Sequence, residues 1–388
     1  MRRLGGIFTA GGAAILPYIH ENPNWPDFTW NSEALSHALA ALRYREGQII
    51  GRMQGLGFDF RLEASLRTLT EDVVKSSAIE GERLNAQEVR SSIARRLGLD
   101  VAGLIPASRD VEGIVEMMLD ATQNFAAPLT ADRLFGWHAA LFPTGRSAMR
   151  RITVGAWRPN EAGPMQVVSG PVGREHVHFE APAADRLDAE MRRFLDWFNA
   201  PAAIDPVLKA GIAHFWFVTI HPFEDGNGRM ARAIADMSLA RADGGRQRFY
   251  SMTSQIEAER KAYYGRLEAQ QRGDLNITPW LTWFLDCLGR AFDRADETLA
   301  SVLYKARLWD KASRQPLNER QRLVIGRMLG DWEGCMTTSK YARLARCSGD
   351  TALRDMRELI AGGVFVQNPG GGRSTSYRLA SGEELGAA

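Results

Sequence analysis

The residues Ala213-His-Phe-Trp-Phe-Val-Thr-Ile220 and His221-Pro-Phe-Glu-Asp-Gly-Asn-Gly-Arg-Met-Ala-Arg232 decide the fold of this chain. The first stretch is dominated by apolar side chains and predicts a buried helix. The second contains two glycines, which interrupt a helix and let the backbone approach a ligand closely. Helical spacing returns over Gly228–Ala242. The sequence therefore predicts two helices joined by a short polar loop.

The loop and the start of the second helix combine groups that suit a polyphosphate. Backbone N–H groups at a helix N-terminus favour an anion. Arg229 and Arg232 lie three residues apart, so both guanidinium groups can face that anion. Asp225 supplies a hard oxygen ligand of the kind that Mg²⁺ takes when it bridges phosphates, and His221 can serve as a base near neutral pH. This pattern predicts a phosphate cradle with a metal ligand and a base at its mouth.

Residues 221–232 resemble the Fic-family signature, H-P-F-x-[D/E]-G-N-G-R-x-x-R, and match it at every defined position. The resemblance implies AMPylation, the transfer of AMP from ATP to a Ser, Thr or Tyr hydroxyl of a target protein. It implies that His221 is the general base, that Phe223 anchors the loop, and that Asp225 binds Mg²⁺. It further implies that Gly226, Asn227 and Gly228 form an anion hole. Arg229 and Arg232 would bind the outer phosphates.

The choice between nucleotidyl and phosphoryl transfer rests on the second glycine of the loop. A subset of relatives carries lysine there and acts as kinases, whereas Gly228 leaves room for a triphosphate in the usual orientation. We therefore expect nucleotidyl transfer from ATP. UTP or a diphosphate-linked choline stays open as an alternative donor.

An upstream segment resembles the inhibitory helix of the same family. Ser76, Glu80 and Gly81 fit its pattern [S/T]-x-x-x-E-[G/N]. The resemblance implies that Glu80 pairs with Arg232 and takes the place of the γ-phosphate, so that ATP binds without productive geometry. In some relatives the same site removes AMP while this glutamate aligns water, and that activity is kept as an alternative.

Two further segments resemble parts of the family that surround the active site. Residues 151–179 predict a β-hairpin with loops, and residues 164–170 within it resemble the flap, which aligns a target by strand addition. Its contacts would come from Met165, Val167 and Val168. Residues 263–267 resemble the helix on the adenine side. Either Tyr263 or Tyr264 would contact the adenine or its ribose, and the other tyrosine would lie in the core. Leu267 would pack on the contacting tyrosine's side of the nucleotide.

The remaining histidines have plainer interpretations. His138 and His214 stand among apolar neighbours and are expected to be structural. His176 and His178 lie on either side of Val177, and this spacing can bind a metal ion. A solvent-facing strand edge is the interpretation we favour for that pair.

Composition excludes several classes of protein. The 388 residues are 45% hydrophobic and 24% charged with a net charge of +2, which excludes a disordered, collagenous or coiled-coil chain. Cys287, Cys335 and Cys347 form no CxxC pair, which favours a reducing, cytoplasmic location. There is no run of about 18 apolar residues, so we expect no membrane span.

The predicted architecture is mainly α-helical and has three parts. An N-terminal arm and helical region with the inhibitory helix covers residues 1–100, and a Fic catalytic core with the hairpin flap covers 101–305. A winged helix-turn-helix follows over 312–380. Residues 312–379 hold eleven Lys/Arg and six Asp/Glu, an excess of five positive charges.

The function of the last part is left open between DNA binding and either dimerisation or docking of a target. The chain as a whole therefore has a second interpretation, a transcriptional regulator whose Fic-like core senses nucleotide. A pure interaction module is disfavoured by the intact signature.

Overall fold

The computed structural model describes residues 18–54, 58–99, 103–160, 163–171, 174–201, 204–245, 247–330, 332–369 and 375–386. It is mainly helical, as predicted. The chain divides into two compact units, residues 1–51 with 65–295 and residues 52–64 with 296–388. The division into three parts stays a prediction.

The helices of the described chain follow one another in this order: α1 (Ser32–Gln54), α2 (Phe58–Ile79), α3 (Ala86–Arg96), α4 (Arg109–Gln123), α5 (Ala131–Leu141), α6 (Leu187–Asn199), α7 (Pro206–Ile220), α8 (Asn227–Asp243), α9 (Met252–Ala258), α10 (Arg260–Gln271), α11 (Thr278–Ser313), α12 (Glu319–Leu329), α13 (Thr338–Leu344) and α14 (Gly349–Ala361). Strands are short and form three antiparallel pairs: β1 (Arg146–Ser147) with β2 (Arg150–Arg151), β3 (Gln166–Ser169) with β4 (His176–Glu180), and β5 (Phe365–Gln367) with β6 (Tyr377–Leu379).

Helices α7 and α8 form the centre of the first unit. Helix α7 begins at a capping aspartate, Asp205, whose side chain accepts from the Val207 N–H at 2.8 Å, and proline occupies its first turn. From Ala210 to Ile220 every residue of α7 is buried. Helix α8 is buried over most of its length and packs against α7. The predicted pair of helices with its polar loop is therefore present.

The N-terminal arm is rich in aromatic residues over 18–30, and this segment packs on the helical core. The indole of Trp25 donates to Glu190 on α6 at 2.9 Å and meets Trp216 on α7 edge-on. Phe28 lies 5.8 Å from Phe215 between ring centroids. The segment thus buries its large rings against α6 and α7, which accounts for the arm lying along the helical core.

The hairpin β3–β4 lies where the sequence predicts it and is fastened to the end of α10. Its register shifts between Val167 and Val168. Arg272, which follows α10, donates to the carbonyls of Val177 and His178 at 2.8 and 3.0 Å. This contact fixes the hairpin beside the helix.

Helical spacing in the sequence predicts one continuous helix over residues 255–271, and this prediction is wrong in its extent. The structure has α9 and α10 instead, separated at Glu259, whose backbone leaves helical geometry at φ −107° and ψ 23°. The Glu259 carboxylate accepts from Arg290 on α11 at 2.7 Å. A tertiary ion pair therefore coincides with the break, and no glycine or proline marks it in the sequence.

The second unit has its own core, which includes Val324, Tyr341, Met356 and Phe365. Helices α12, α13 and α14 each begin at a capping side chain, contributed by Asn318, Thr337 and Ser348 respectively. Three helices followed by a strand pair is the element order that the sequence predicts. Its classification as a winged helix stays a prediction.

Within the segments just enumerated, no helix combines the length and the apolar character needed to cross a bilayer.

The contact between α4 and α5 yields a prediction about stability. A Cβ on Gly113 would lie 1.7 Å from the Ala140 carbonyl oxygen, whereas one on Gly136 would meet nothing within 4 Å. We expect Gly113→Ala to destabilise the protein by about 1–3 kcal/mol or more because the helices must move apart. Gly136→Ala, the matched control, should stabilise it by about 0.5–1 kcal/mol because alanine favours a helix. Urea unfolding followed by circular dichroism measures both, and equal effects would contradict this packing.

Candidate active site at the loop between α7 and α8

His221 ends α7 in a left-handed conformation, with φ 52°. Its Nδ1 donates to the carbonyl of Val218 at 3.2 Å, which leaves the lone pair of Nε2 available. Burial, together with the nearby guanidinium of Arg158, lowers the pKa of His221 to about 4. The imidazole is therefore neutral near pH 7 and able to accept a proton.

The loop after His221 is locked by an aromatic anchor and an amide. Phe223 is fully buried and stacks on the ring of His138 at 4.2 Å. The Asn227 side chain accepts from the Phe223 N–H at 3.0 Å and donates to the Phe223 carbonyl at 2.8 Å. Both ends of this amide bind the loop backbone, and the backbone N–H of Asn227 lies in the first turn of α8, where N–H groups have no intrahelical partner.

Two residues outside the signature, His138 and Arg158, form hydrogen bonds with the backbone of the loop. His138 donates through Nε2 to the Asp225 carbonyl at 3.2 Å and accepts from the Gly155 N–H through Nδ1 at 3.3 Å. Burial lowers the pKa of His138 to about 4, which agrees with a neutral ring that both donates and accepts. This matches the structural role expected of it. Arg158 was not singled out by the sequence; it donates to the His221 carbonyl at 2.8 Å.

The N-terminus of α8 has unpaired hydrogen-bond donors that favour an anion. Gly226 precedes it with φ 82°, and no side chain among the described residues caps the helix. Two guanidinium N–H groups, Arg229 Nε and Arg232 Nη1, are buried without a hydrogen-bond partner in the described part of the chain. Unpaired donors and a positive helix end together favour a multiply charged ligand.

Arg232 is 1% exposed and is held by the predicted inhibitory segment. Its Nε donates to Ser76 Oγ at 3.0 Å, and its Nη2 donates to the Ser76 carbonyl at 2.9 Å and to Glu80 Oε1 at 2.8 Å. A Cβ on Gly228 would lie 2.3 Å from the same carboxylate oxygen. The carboxylate thus lies over the first turn of α8, where a phosphate would bind, and Gly228 makes room for it. Gly81, with φ 88°, turns the chain away beyond α2.

Glu82 forms a second ion pair that the sequence reasoning missed. Its Oε2 accepts from Arg229 Nη1 at 2.8 Å; the arginine is 3% exposed and the glutamate 49%. Burial raises the pKa of Glu82, and the charge of Arg229 offsets part of that effect. The available signal was an acidic residue two positions after Glu80, which by itself is indistinguishable from a solvated surface charge.

The Asp225 carboxylate can hold a divalent ion. Its Oδ1 accepts from the Gly226 N–H at 2.5 Å, and its Oδ2 accepts from the Ser147 hydroxyl. Both donors are neutral, and among the described residues no arginine or lysine forms an ion pair with this side chain. Lone pairs on both oxygens therefore remain for a hard cation such as Mg²⁺.

The residues expected on the adenine side divide between core and surface. Tyr263 is buried, with its hydroxyl 2.9 Å from His214 Nε2. Tyr264 is 39% exposed and donates to Glu80 Oε2 at 3.4 Å. Leu267, which belongs to the same helix α10, is buried. The one-in, one-out arrangement of the tyrosines is thus observed, and the exposed one borders the site.

The three predicted flap residues lie in β3 or directly before it. Val167 and Val168 belong to β3, and Val168 is 48% exposed. Met165 precedes the strand, and its carbonyl accepts from the Ala181 N–H at 2.8 Å. An exposed strand residue is available to a partner segment.

Comparison with known proteins identifies the class. Residues 128–239 match the Fic/DOC family, and residues 18–99 match a domain of unknown function, DUF4172. A crystal structure of a Fic family protein from Desulfovibrio desulfuricans G20 has a TM-score of 0.52 at 22% identity, covering 88% of this chain and 96% of that one. Residues 128–239, which include the loop from His221 to Arg232, are therefore similar to the Fic/DOC family, and the chain has the Fic fold.

Two curated relatives are named as protein adenylyltransferases. The chain is 28% identical to protein adenylyltransferase fic-1 of Caenorhabditis elegans over 206 residues, 52% of this chain and 37% of the relative. It is 28% identical to protein adenylyltransferase Fic of Culex quinquefasciatus over 226 residues, 58% of this chain and 41% of the relative. The match thus spans less than half the length of these relatives.

The surroundings of His221 predict its titration. We expect the ring to stay neutral at pH 5.5, since its pKa lies near 4, whereas an unperturbed histidine with a pKa of about 6.5 is mostly protonated there. Nitrogen-15 chemical shifts of the histidine rings measure this directly, and a His221→Gln variant assigns the signal. A midpoint near 6.5 would mean that the ring is solvated and would contradict the burial described.

Proposed function

We propose that this protein is a protein adenylyltransferase, which moves AMP from ATP to a Ser, Thr or Tyr hydroxyl of a target protein. The observation that carries the proposal is a neutral histidine, His221, beside an uncapped helix start with two buried arginine N–H groups that lack partners. A base next to a polyphosphate site is what nucleotidyl transfer requires. The names of the two relatives point to the same reaction.

In the proposed reaction the hydroxyl oxygen of the target attacks the α-phosphorus of ATP. Its proton passes to Nε2 of His221, the bond between the α-phosphorus and the α–β bridging oxygen breaks, and pyrophosphate leaves. Arg229 and Arg232, together with the backbone N–H groups of residues 226–228, stabilise the charge that develops on the leaving phosphates.

Mg²⁺ fits this proposal through Asp225, whose oxygens accept bonds from neutral donors alone in the described chain. When bound, the ion would neutralise charge on the α- and β-phosphates. On the opposite side, Tyr264 and Leu267 border the space for the adenine. The flap residues Met165, Val167 and Val168 would align the target by strand addition.

We further propose that the chain inhibits itself through two carboxylates. Glu80 pairs with Arg232 and Glu82 with Arg229, so each phosphate-binding arginine is already matched by an anion. The outer phosphates of ATP carry the same charge and need the same N–H groups. ATP must therefore displace at least one carboxylate before its α-phosphate can reach His221. Removal of AMP from the target stays an alternative use of Glu80.

The second unit supports a proposal about partners. Arg327, Lys340, Arg343 and Arg346 line a hollow of about 630 Å³ beside Trp332. Clustered cations next to an aromatic ring suit a nucleic-acid backbone, which supports contact of residues 312–380 with DNA and the alternative of a nucleotide-sensing regulator. A homodimer stays a prediction. The three cysteines are free thiols, which supports the proposed cytoplasmic location.

The role of His221 has a direct test in the Glu80→Gly background. We expect His221→Ala to lower transfer of labelled AMP from ATP to protein by about 10²–10⁴-fold because the base is lost. ATP binding, measured by calorimetry, should change little. His37→Ala, which alters an exposed histidine on α1, is the control and should keep full activity. Undiminished transfer by His221→Ala would disprove the proposed base.

The two carboxylates can be separated by substitution. We expect Glu80→Gly to raise AMP transfer by about 10–100-fold, since a hydrogen bond to a charged group contributes about 1.5–3 kcal/mol. Glu82→Gln should raise it by less than about tenfold because its half-exposed carboxylate is screened by solvent. The double variant should exceed either.

Glu33→Gln serves as the control for these variants, since it removes an exposed carboxylate from the first turn of α1. Labelling of the protein itself by α-labelled ATP is the readout. Unchanged activity in Glu80→Gly would refute self-inhibition, and unchanged activity in Glu82→Gln would confine it to Glu80.

A further inference from the structure

A cluster of three potential metal ligands lies beside the flap, apart from the loop of the active site. His176 and His178 lie two residues apart on β4, and Glu268 projects from α10. One ligand atom from each lies within 4.8 Å of the others. The sequence places Glu268 90 residues from His178, so this third ligand becomes visible only in the folded chain.

We propose that His176, His178 and Glu268 bind a divalent transition-metal ion, with Zn²⁺ as the representative. Two imidazoles and one carboxylate are the ligands that zinc takes in open sites, and three protein ligands leave the fourth position to water. Mg²⁺ and Ca²⁺ prefer sets made of oxygen alone, so this site differs in chemistry from Asp225.

The imidazole nitrogens already lie near the Glu268 oxygens, at separations close to those of a tetrahedral metal site. His178 Nδ1 lies 2.8 Å from Glu268 Oε2, and His176 Nε2 lies 3.8 Å from Glu268 Oε1. Zinc binds nitrogen and oxygen at about 2.0–2.2 Å, so tetrahedral ligand atoms lie roughly 3.3 Å apart. The two observed distances fall on either side of that value. These two distances involve different oxygens of Glu268, and the ligand atoms of the three residues lie within 4.8 Å of one another. Shifts of about 1–2 Å in exposed or partly exposed side chains would complete the geometry.

A neighbouring hydroxyl orients one of the imidazoles. Ser169 Oγ on β3 lies 2.6 Å from His178 Nε2. If Nε2 carries the proton and donates it to this hydroxyl, Nδ1 presents its lone pair toward Glu268 and the metal. This arrangement resembles the outer support that ligating histidines receive in metal sites.

The positive charge of Arg272 opposes the binding of a cation at this cluster. Arg272 Nε lies 3.7 Å from Glu268 Oε1 and lowers the affinity for a cation. Its guanidinium also donates to the Val177 and His178 carbonyls, which holds it along β4. Without a metal, the His178–Glu268 hydrogen bond accounts for the cluster by itself, and this is the competing outcome.

A bound ion would join the flap to the helix that carries Tyr264. β4 is one strand of the flap hairpin, and Glu268 is one turn of α10 beyond Tyr264. The site would therefore set how freely the flap moves beside the nucleotide. Metal binding itself needs neither ATP nor a target, so its test is independent of the proposed transferase activity.

The experiment titrates the full, tag-free chain with Zn²⁺ by calorimetry in a Cys335→Ser background, which removes an exposed thiol that could bind zinc. We expect one site in the parent protein. His178→Ala and Glu268→Gln should each weaken it by at least about tenfold, and Ser169→Ala by up to about tenfold. His37→Ala should leave it unchanged.

Circular dichroism verifies that each variant is folded, and His176→Gln replaces any variant that is not, since its side chain is 68% exposed. Absorption of bound Co²⁺ gives a second readout, because its visible bands should be lost with either ligand variant. The proposal is overturned if the parent binds no Zn²⁺, or if folded His178→Ala and Glu268→Gln bind it as the parent does.

Discussion

A buried guanidinium that must be paired governs the centre of this protein. Arg232 is 1% exposed, and an unpaired charge at such a site would cost several kcal/mol. In the chain alone, Ser76 and Glu80 supply the pairing, and one N–H group of Arg232 still lacks a partner. The position of α2 against α8 and the readiness of α8 for an anion follow from this requirement.

Helix α2 has a buried middle that anchors it and a tip that carries the proposed inhibitory glutamate. In its middle, Asp72 accepts from Arg248 at 3.2 Å, and Arg248 also donates to Asp236 on α8 at 2.6 Å. Two carboxylates share one cation here, and burial together with the charge of Asp236 raises the pKa of Asp72 to about 7. This network anchors α2 to α8 well before Glu80. The tip can therefore exchange partners while the helix stays attached.

The proposed ligand binding and the proposed inhibition depend on the same property of the site. The start of α8 offers unpaired N–H groups in a desolvated place, and any carboxylate or phosphate with the right reach can satisfy them. Gly228 matters to both, since a side chain there would collide with the Glu80 carboxylate at 2.3 Å. The proposed switch thus needs no large motion of the core, only the replacement of one anion by another.

What the residue pattern by itself determined is local, and the one long-range pair that was expected, Glu80 with Arg232, came from the family resemblance. The helix pair, the glycine loop and the two arginines one turn apart depend on neighbours within about four residues along the chain. The ion pair of Glu82 with Arg229, the support of the loop by Arg158, and the meeting of His178 with Glu268 join residues 63 to 147 positions apart. Only the tertiary structure decided these, because spacing along a chain does not determine distance once helices pack against one another.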